Sequence, residues 1–196
     1  MTTGAASGGI LLAGGAGSRF GGRKLMHPLS DGTPLGVAAW RNLRAALEES
    51  VVVVREGDDE LAALMAGAGA RVVRCRDAPL GMGHSLVCGV RALTHAAGWI
   101  VALADMPQVR PETIAALVER LHAGARIAAP VWGGRRGHPV GFSASCRDEL
   151  LALGGDSGAR ALLERHAADV VSVPVDDPGI VQDVDTPEDA VRLNNR

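Results

Sequence analysis

LLAGGAGSRFGGRK, residues 11–24, runs from an apolar segment into a loop of glycines and cations. Ile10, Leu11, Leu12 and Ala13 read as a buried strand. Glycines follow at positions 14, 15, 17, 21 and 22, and the cations are Arg19, Arg23 and Lys24. Glycine lets the main chain approach an anion closely, and turned backbone N–H groups form an anion-binding nest. A strand ending in such a loop near the N-terminus is a phosphate-binding design.

Outward from this segment, strands and helices alternate. The first strand covers about residues 9–13. Pro34 opens a helix whose apolar positions Leu35, Val37, Ala38, Trp40, Leu43, Ala46 and Leu47 fit a helical period. Ser50–Val54 is a β-branched strand, 58–66 a helix closed by Gly67 and Gly69, and Arg71–Arg74 a third strand. Residues 77–83 read as a loop and Ser85–Ala97 as an amphipathic helix. Trp99–Ala104 is a fourth strand, ending at Asp105-Met106-Pro107. A helix follows from Pro111 to about His122, then strands at 126–131 and 138–142. Two short helices near 145–151 and 157–167, a strand at 170–175 and an extended piece at 181–184 come next. Thr186-Pro187-Glu188-Asp189 caps a last helix, with Thr at the N-cap, Pro at N1 and acids in the first turn.

The strands are continuously apolar rather than alternating, as in a sheet covered on both faces. The expected fold class is therefore α/β: a single domain over 1–196 with a mostly parallel open sheet and helices on both faces, residues 1–7 fraying. Ligands in such sheets bind beyond the carboxyl ends of strands. The glycine loop and Asp105 both fall at such ends.

Composition narrows the classes. The chain has 196 residues, a net charge of −2, 26 Gly, no Tyr and two Phe. A near-neutral chain this poor in aromatics is not built to bind nucleic acid. No apolar run approaches membrane-spanning length, so no membrane partner is expected. Cys75, Cys88 and Cys146 have no zinc-ligand spacing and read as free thiols in a reducing, cytoplasmic compartment.

Two familiar phosphate loops fail. GxGxxG fits at Gly15 and Gly17 but meets Phe20 at its third glycine, and the second strand runs into Arg55-Glu56 with no acid at its end. Walker A fails because Arg23 separates Gly22 from Lys24 and Leu25 stands where Ser or Thr would hold magnesium. The segment instead resembles the signature LxxGxGxR(M/F)G…K of the molybdenum-cofactor nucleotidyltransferases and the wider sugar-nucleotide transferase superfamily. Leu12, Ala13, Gly15, Gly17, Arg19, Phe20, Gly21 and Lys24 match it. Further blocks follow in family order: GMGHSL (81–86), LADMP (103–107), RGHPVGF (136–142), GDSGAR (155–160) and QDVDTPEDA (182–190). The chain is identified as a member of the MobA-like nucleotidyltransferases, with the nucleotide-diphospho-sugar transferase, Rossmann-like fold. Most later blocks take the form of the molybdopterin cytidylyltransferase branch. Gly14 conflicts, because LAGG is the guanylyl form and AAG the cytidylyl form.

The resemblance implies transfer of CMP from CTP to the phosphate of molybdopterin, with pyrophosphate leaving, and a target molybdoenzyme as a further partner. A phosphate monoester is already a nucleophile, so the chemistry needs positioning, cations and a metal rather than a triad. Lys24 is expected at the α-phosphate, Arg19 on the leaving phosphates and Asp105 on Mg²⁺ or Mn²⁺. Asp183 and Asp185 are candidates for the second metal ligand, Asp183 ranked first. Leu12, Ala13, Gly14, Gly15, Gly17, Gly81, Gly83 and Ser85 are assigned to the nucleotide, although Ser85 equally reads as a helix N-cap. His138, Pro139, Asp156 and Arg160 are assigned to the acceptor, although Arg160 also reads as a solvated helix cation. The alternatives are a guanylyl or other NTP transferase of the family, an NAD(P)H- or flavin-type oxidoreductase of the superfamily, and a catalytically silent chaperone of the cofactor.

Overall fold

β1 (Gly8–Leu12) is an interior strand of an eight-stranded sheet, paired parallel with β2 (Ser50–Arg55) on one side and with β4 (Gly98–Leu103) on the other. β3 (Arg71–Cys75) extends the sheet beyond β2. The computed structural model describes residues 6–15, 20, 22–155 and 158–194. Beyond β4, β7 (Val140–Ser143) runs antiparallel and pairs in turn with β5 (Ile127–Trp132). The two-residue β6 (Arg135–Arg136) pairs with the same edge of β5, and β8 (Val170–Pro174) pairs parallel with its other edge. The sheet is mostly parallel, as its apolar strands imply, with β6 and β7 the antiparallel exceptions.

Helices cover both faces, and the strands alternate between them. Leu11, Val52, Val54, Ile100 and Ala128 pack under α1 (Leu35–Ala46), α2 (Asp59–Gly67) and α4 (Pro111–His122) through Trp40, Leu43, Leu61, Met65, Ile114 and Leu117. Ile10, Leu12, Val51, Val53, Trp99 and Phe142 pack under α3 (Met82–Ala92), α5 (Arg147–Leu151) and α6 (Arg160–Arg165) through Leu86, Val90, Leu93, Leu150 and Leu162. A two-sided burial of this kind is what makes the strands read as unbroken apolar runs. α7 (Pro187–Asn194) closes a smaller cluster with Leu35 and Val184. Among the described residues no helix is long and apolar enough to cross a membrane.

Several boundaries differ from the sequence expectation. α3 starts at Met82, not Ser85, because Gly81 takes the N-cap with φ 127°, and it ends at Ala92, not Ala97. Its last turn tightens through Leu93 N–H to the Val90 carbonyl, and the Trp99 indole donates to the Leu93 carbonyl at 3.2 Å. Ser85 is therefore inside the first turns of the helix and is not its cap. The piece expected as extended at 181–184 begins as a 3-10 turn, Pro178–Val181, stapled by the buried Asp177 carboxylate, which accepts from Gly179 N–H. Ala6 and Ser7, expected to fray, are tied in: the Ala6 carbonyl accepts from Ala97 N–H, and Ser7 is buried.

The chain builds outward from β1 to β2 and β3, then crosses back to lay β4 on the other side of β1. The carboxyl ends of β1 and β4 therefore open at a topological switch point, where α/β sheets bind ligands. Two backbone bonds hold that point together: Ala104 N–H donates to the Leu12 carbonyl, and Ala13 N–H to the Val53 carbonyl.

Candidate active site

A cavity of about 670 Å³ opens above the carboxyl ends of β1, β2 and β4. Its walls include Leu12, Ala13, Gly14, Gly15, Lys24, Gly81, Ser85 and Asp105, eight of the residues singled out from sequence. Arg55, Asp58 and Glu60 from the β2–α2 connection line its outer side. Gly17, Arg19 and Asp156 lie outside the described residues.

Three charged side chains meet at one wall. The Lys24 amine donates to Asp105 Oδ2 at 2.8 Å and to Asp185 Oδ1 at 3.2 Å. The lysine side chain is only 12 % exposed. Burial on its own pulls the Lys24 pKa down, but hydrogen bonds and charge from Asp105 and Asp185 outweigh it and hold the amine above the ordinary lysine value. The other Asp105 oxygen, Oδ1, is buried with no hydrogen-bond partner among the described residues. An orphaned carboxylate oxygen is costly unless something else satisfies it.

Local structure explains this meeting. Arg23 takes a left-handed conformation, φ 53°, rare for a residue with a side chain, and turns the loop into a 3-10 turn that starts at Lys24. The Arg23 guanidinium pairs with Glu60 at the surface and so pins the loop to α2. Phe20 stacks edge-on against His27, ring centroids 5.2 Å apart. Asp105 follows β4 directly, and its carbonyl accepts Val184 N–H, which docks the 182–185 segment beside it. Asp185 is set from behind: Asp189 Oδ2 accepts from the backbone N–H groups of Asp185 and Thr186 and from the Thr186 hydroxyl, while Thr186 Oγ1 accepts from Asp189 N–H. This is a capping box with Asp in place of Glu. The sequence reading recognised the cap of α7 but not that its carboxylate orients Asp185; the T-x-x-D spacing was the available signal.

Asp183, ranked above Asp185 from sequence, is exposed, and it is Asp185 that reaches Lys24. His138 and Pro139 lie outside the cavity lining, in a small apolar cleft with Asn42, Leu103 and Met106. Burial lowers the His138 pKa, against the opposing charges of Asp105 and Asp183, and its Nδ1 is buried with no partner among the described residues. Arg160 is exposed and pairs with Glu164 one turn on, at 2.9 Å. Gly83 does not line the cavity; it is buried under the 154–155 loop, where a Cβ would stand 2.8 Å from the Gly154 carbonyl oxygen. Gly14 is fixed in a similar way, since a Cβ would meet Ser85 Oγ at 2.9 Å and Ala78 Cβ at 3.3 Å.

A glycine platform, a cation and clustered carboxylates at a switch point have the chemistry to hold a phosphorylated nucleotide. The model of the MobA-like NTP transferase domain matches residues 9–170. The chain belongs to this family. Proteins to which the chain is similar include the purine catabolism protein PucB of Bacillus subtilis, 33 % identical over 192 residues and 92 % of each chain. Nicotine blue oxidoreductase of Paenarthrobacter nicotinovorans is 31 % identical over 94 % of this chain and 95 % of that one. A probable molybdenum cofactor guanylyltransferase of Thermococcus sibiricus is 30 % identical over 63 % of this chain and 61 % of its own. Among solved structures, Rv0371C of Mycobacterium tuberculosis in complex with manganese superposes with a TM-score of 0.84 at 27 % identity, covering 99 % of this chain and 100 % of that one. The MobA-like fold is thus the nucleotide-diphospho-sugar transferase fold expected from sequence, and the chain is a nucleotidyltransferase.

Proposed function

We propose that this nucleotidyltransferase moves CMP from CTP to the phosphate of molybdopterin in a divalent-metal-dependent reaction. The observation that carries the reading is the meeting of Lys24 and Asp105 in the wall of a cavity that Ala13, Gly14 and Gly15 also line, with Asp185 bonded to the same amine. The GMGHSL, RGHPVGF and GDSGAR blocks favour cytidine and a molybdopterin acceptor.

In this reading an oxygen of the acceptor phosphate attacks the α-phosphorus in line. The bond from the α-phosphorus to the bridging oxygen breaks, and pyrophosphate leaves with that electron pair. Lys24 carries charge at the α-phosphate and Arg19 at the leaving phosphates. The nucleoside lies against Ala13–Gly15 and the start of α3, where small residues leave main-chain donors and acceptors open. His138 and Pro139, with Asp156 and Arg160, face the acceptor; a neutral His138 suits an uncharged hydrogen bond.

The donor set fits a hard divalent cation. Asp105 Oδ1 is an unsatisfied carboxylate oxygen, and Asp185 or Asp183 supplies a second. Bound there, Mg²⁺ would neutralise phosphate charge; oxygen ligands suit Mn²⁺ as well, and the manganese complex of Rv0371C supports the use of a divalent metal.

Guanylyl transfer is the second reading, favoured by Gly14. The packing of Gly14 against Ser85 and Ala78 gives that glycine a structural reason independent of the base. The oxidoreductase reading has the nicotine blue oxidoreductase relative behind it, but β2 ends at Arg55, without the acid that holds a dinucleotide ribose. Pyrophosphate release is to be measured with molybdopterin, Mg²⁺ and each of the four triphosphates. CTP should support it best. Release with GTP alone would move the assignment to guanylyl transfer. No release with any nucleotide, together with oxidation of a reduced nicotinamide by an acceptor dye, would replace it by the oxidoreductase.

A further inference from the structure

Arg55 ends β2 in the wall of the cavity; it is exposed, and its guanidinium has no ion pair or side-chain hydrogen bond with another described residue. The acids beside it are engaged elsewhere: Asp58 caps α2 by accepting from Leu61 N–H, and Glu60 pairs with Arg23. Its direction follows from the strand. Val51 and Val53 pack under α3, so residue 55 falls on the same face, as does Cys75, its register partner on β3. Along the β1–β2 pair Leu12 stands level with Val53, and Ala13 N–H still donates to the Val53 carbonyl; two residues past Leu12, Gly14 comes level with Arg55. Gly14 faces α3 too, since a Cβ there would meet Ser85 and Ala78. The platform glycine and the arginine thus stand side by side on one face, about 4.8 Å apart in the strand-pairing direction.

The sheet sets which part of a nucleotide reaches this point. Lys24 meets Asp105 at the end of β4, on the far side of β1. From there the cavity extends toward β2, two strand spacings or about 10 Å away. A triphosphate whose α-phosphate rests at Lys24 lays its nucleoside across β1 and brings the base to the end of β2. A guanidinium there meets a base edge rather than a phosphate. Its planar fork holds N–H donors side by side and has no acceptor. It matches an edge with two adjacent acceptors: N3 and O2 of cytosine, or O6 and N7 of guanine. Uracil sets an N3–H donor between its carbonyls, and adenine sets an amino group beside N1 and N7, so either base leaves a donor facing a donor.

We infer that Arg55 selects the base of the triphosphate, its guanidinium donating to N3 and O2 of cytosine and refusing uracil. The inference rests on the nucleotidyl-transfer reading and deepens it by naming the residue that reads the base. A site built to hydrogen-bond a substrate discriminates strongly, because the wrong substrate leaves its polar groups unpaired. The same fork suits guanine, so it limits the donors to CTP and GTP and sets UTP and ATP aside. The guanylyl form at Gly14 and the cytidylyl form of the later blocks are both compatible with such a fork.

CTP and UTP differ only along the base edge, so their relative binding isolates this contact. Calorimetric titration of the full-length protein with Mg²⁺ present should show CTP bound at least about tenfold more tightly than UTP. Arg55→Met keeps an apolar stem and removes the fork; it should weaken CTP by at least about tenfold and bring the CTP-to-UTP ratio close to one. Arg55→Lys keeps the charge without the fork and should not restore the ratio. A probe that needs no variant is 3-deazacytidine triphosphate, in which C–H replaces N3; the wild type should bind it at least about tenfold less tightly than CTP. Equal losses of CTP and UTP in Arg55→Met would make Arg55 a charge for the phosphates, and no loss would make it a solvated cation; either overturns the assignment. Wild-type protein that binds CTP and UTP alike would overturn it as well. Should Arg55→Met fail to fold, wild-type protein that binds the deaza analogue as tightly as CTP would equally overturn it. Binding of no triphosphate by the wild type would overturn the assignment together with the nucleotidyl-transfer reading beneath it.

Discussion

Replacing Lys24 by Ala removes the amine that joins Asp105 to Asp185, and pyrophosphate release should fall by at least about a hundredfold, as for a lost transition-state donor. Asp105→Ala should cost a comparable factor. Lys24→Arg keeps the charge and should still fail to restore turnover, because the guanidinium fork cannot take the ammonium's place between two acids 2.8 and 3.2 Å away. Near-normal turnover in either alanine variant would take that side chain out of the chemistry, and in Lys24→Arg would show that any cation at position 24 suffices. At this scale the sequence was informative about residue type and poor about partners. Lys24 and Asp105 stand 81 positions apart, and only the folded sheet reveals that they touch. Which of Asp183 and Asp185 reaches Lys24 is hidden for the same reason: alternation along a segment says which residues share a face, not which one a neighbour can reach.

Among the elements, α3 and the α7 cap carry the site on their ends. Gly89 lets α3 lie close on β1, since a Cβ there would stand 2.5 Å from Ile10 Cγ2. Gly89→Ala should therefore destabilise the protein by about 1–3 kcal/mol, read as a lower urea midpoint with an unchanged slope. The early start of α3 was hidden in sequence because Gly81 and Gly83 look like loop residues. Gly81 is a cap in a conformation glycine favours, and Gly83 is required by the 154–155 loop, which is distant in sequence. At α7, the backbone and hydroxyl bonds from Thr186, with the Asp185 N–H, hold the Asp189 carboxyl below its usual range. A carboxylate with a depressed folded-state pKa stabilises fully above its unfolded value near 4 and loses that contribution as pH falls through the folded one. The stability gap between wild type and Asp189→Asn should accordingly be constant from about pH 7 to 5 and shrink below about pH 4. Chemical denaturation across that range measures it; a gap that widens in acid would contradict the cap.

On the scale of the whole molecule, the parallel core was legible because β1, β2 and β4 are apolar on both faces and are separated by helical periods. The far half was less so. β6 and β7 are two parts of one return strand beside β5, interrupted between Arg136 and Val140, and neither part is long enough to declare its direction in sequence. The switch point follows from strand order, which no periodicity encodes. It also brings the glycine loop, Asp105 and the 182–185 segment together from three distant parts of the chain. A ligand bound there ties these parts together and stabilises the fold as a whole. At a hundredfold excess over its dissociation constant, a ligand that binds only the native state adds about 2.7 kcal/mol, which for a chain of this size raises Tm by roughly 5–10 °C. CTP with Mg²⁺ should produce such a rise in a thermal scan, and Asp105→Asn should lose the part of it that depends on metal. A reduced nicotinamide dinucleotide should leave Tm where it was. A rise of the same size with that dinucleotide, and none with CTP, would place a different ligand across the same switch point and turn the reading of the cavity from phosphoryl chemistry to hydride transfer.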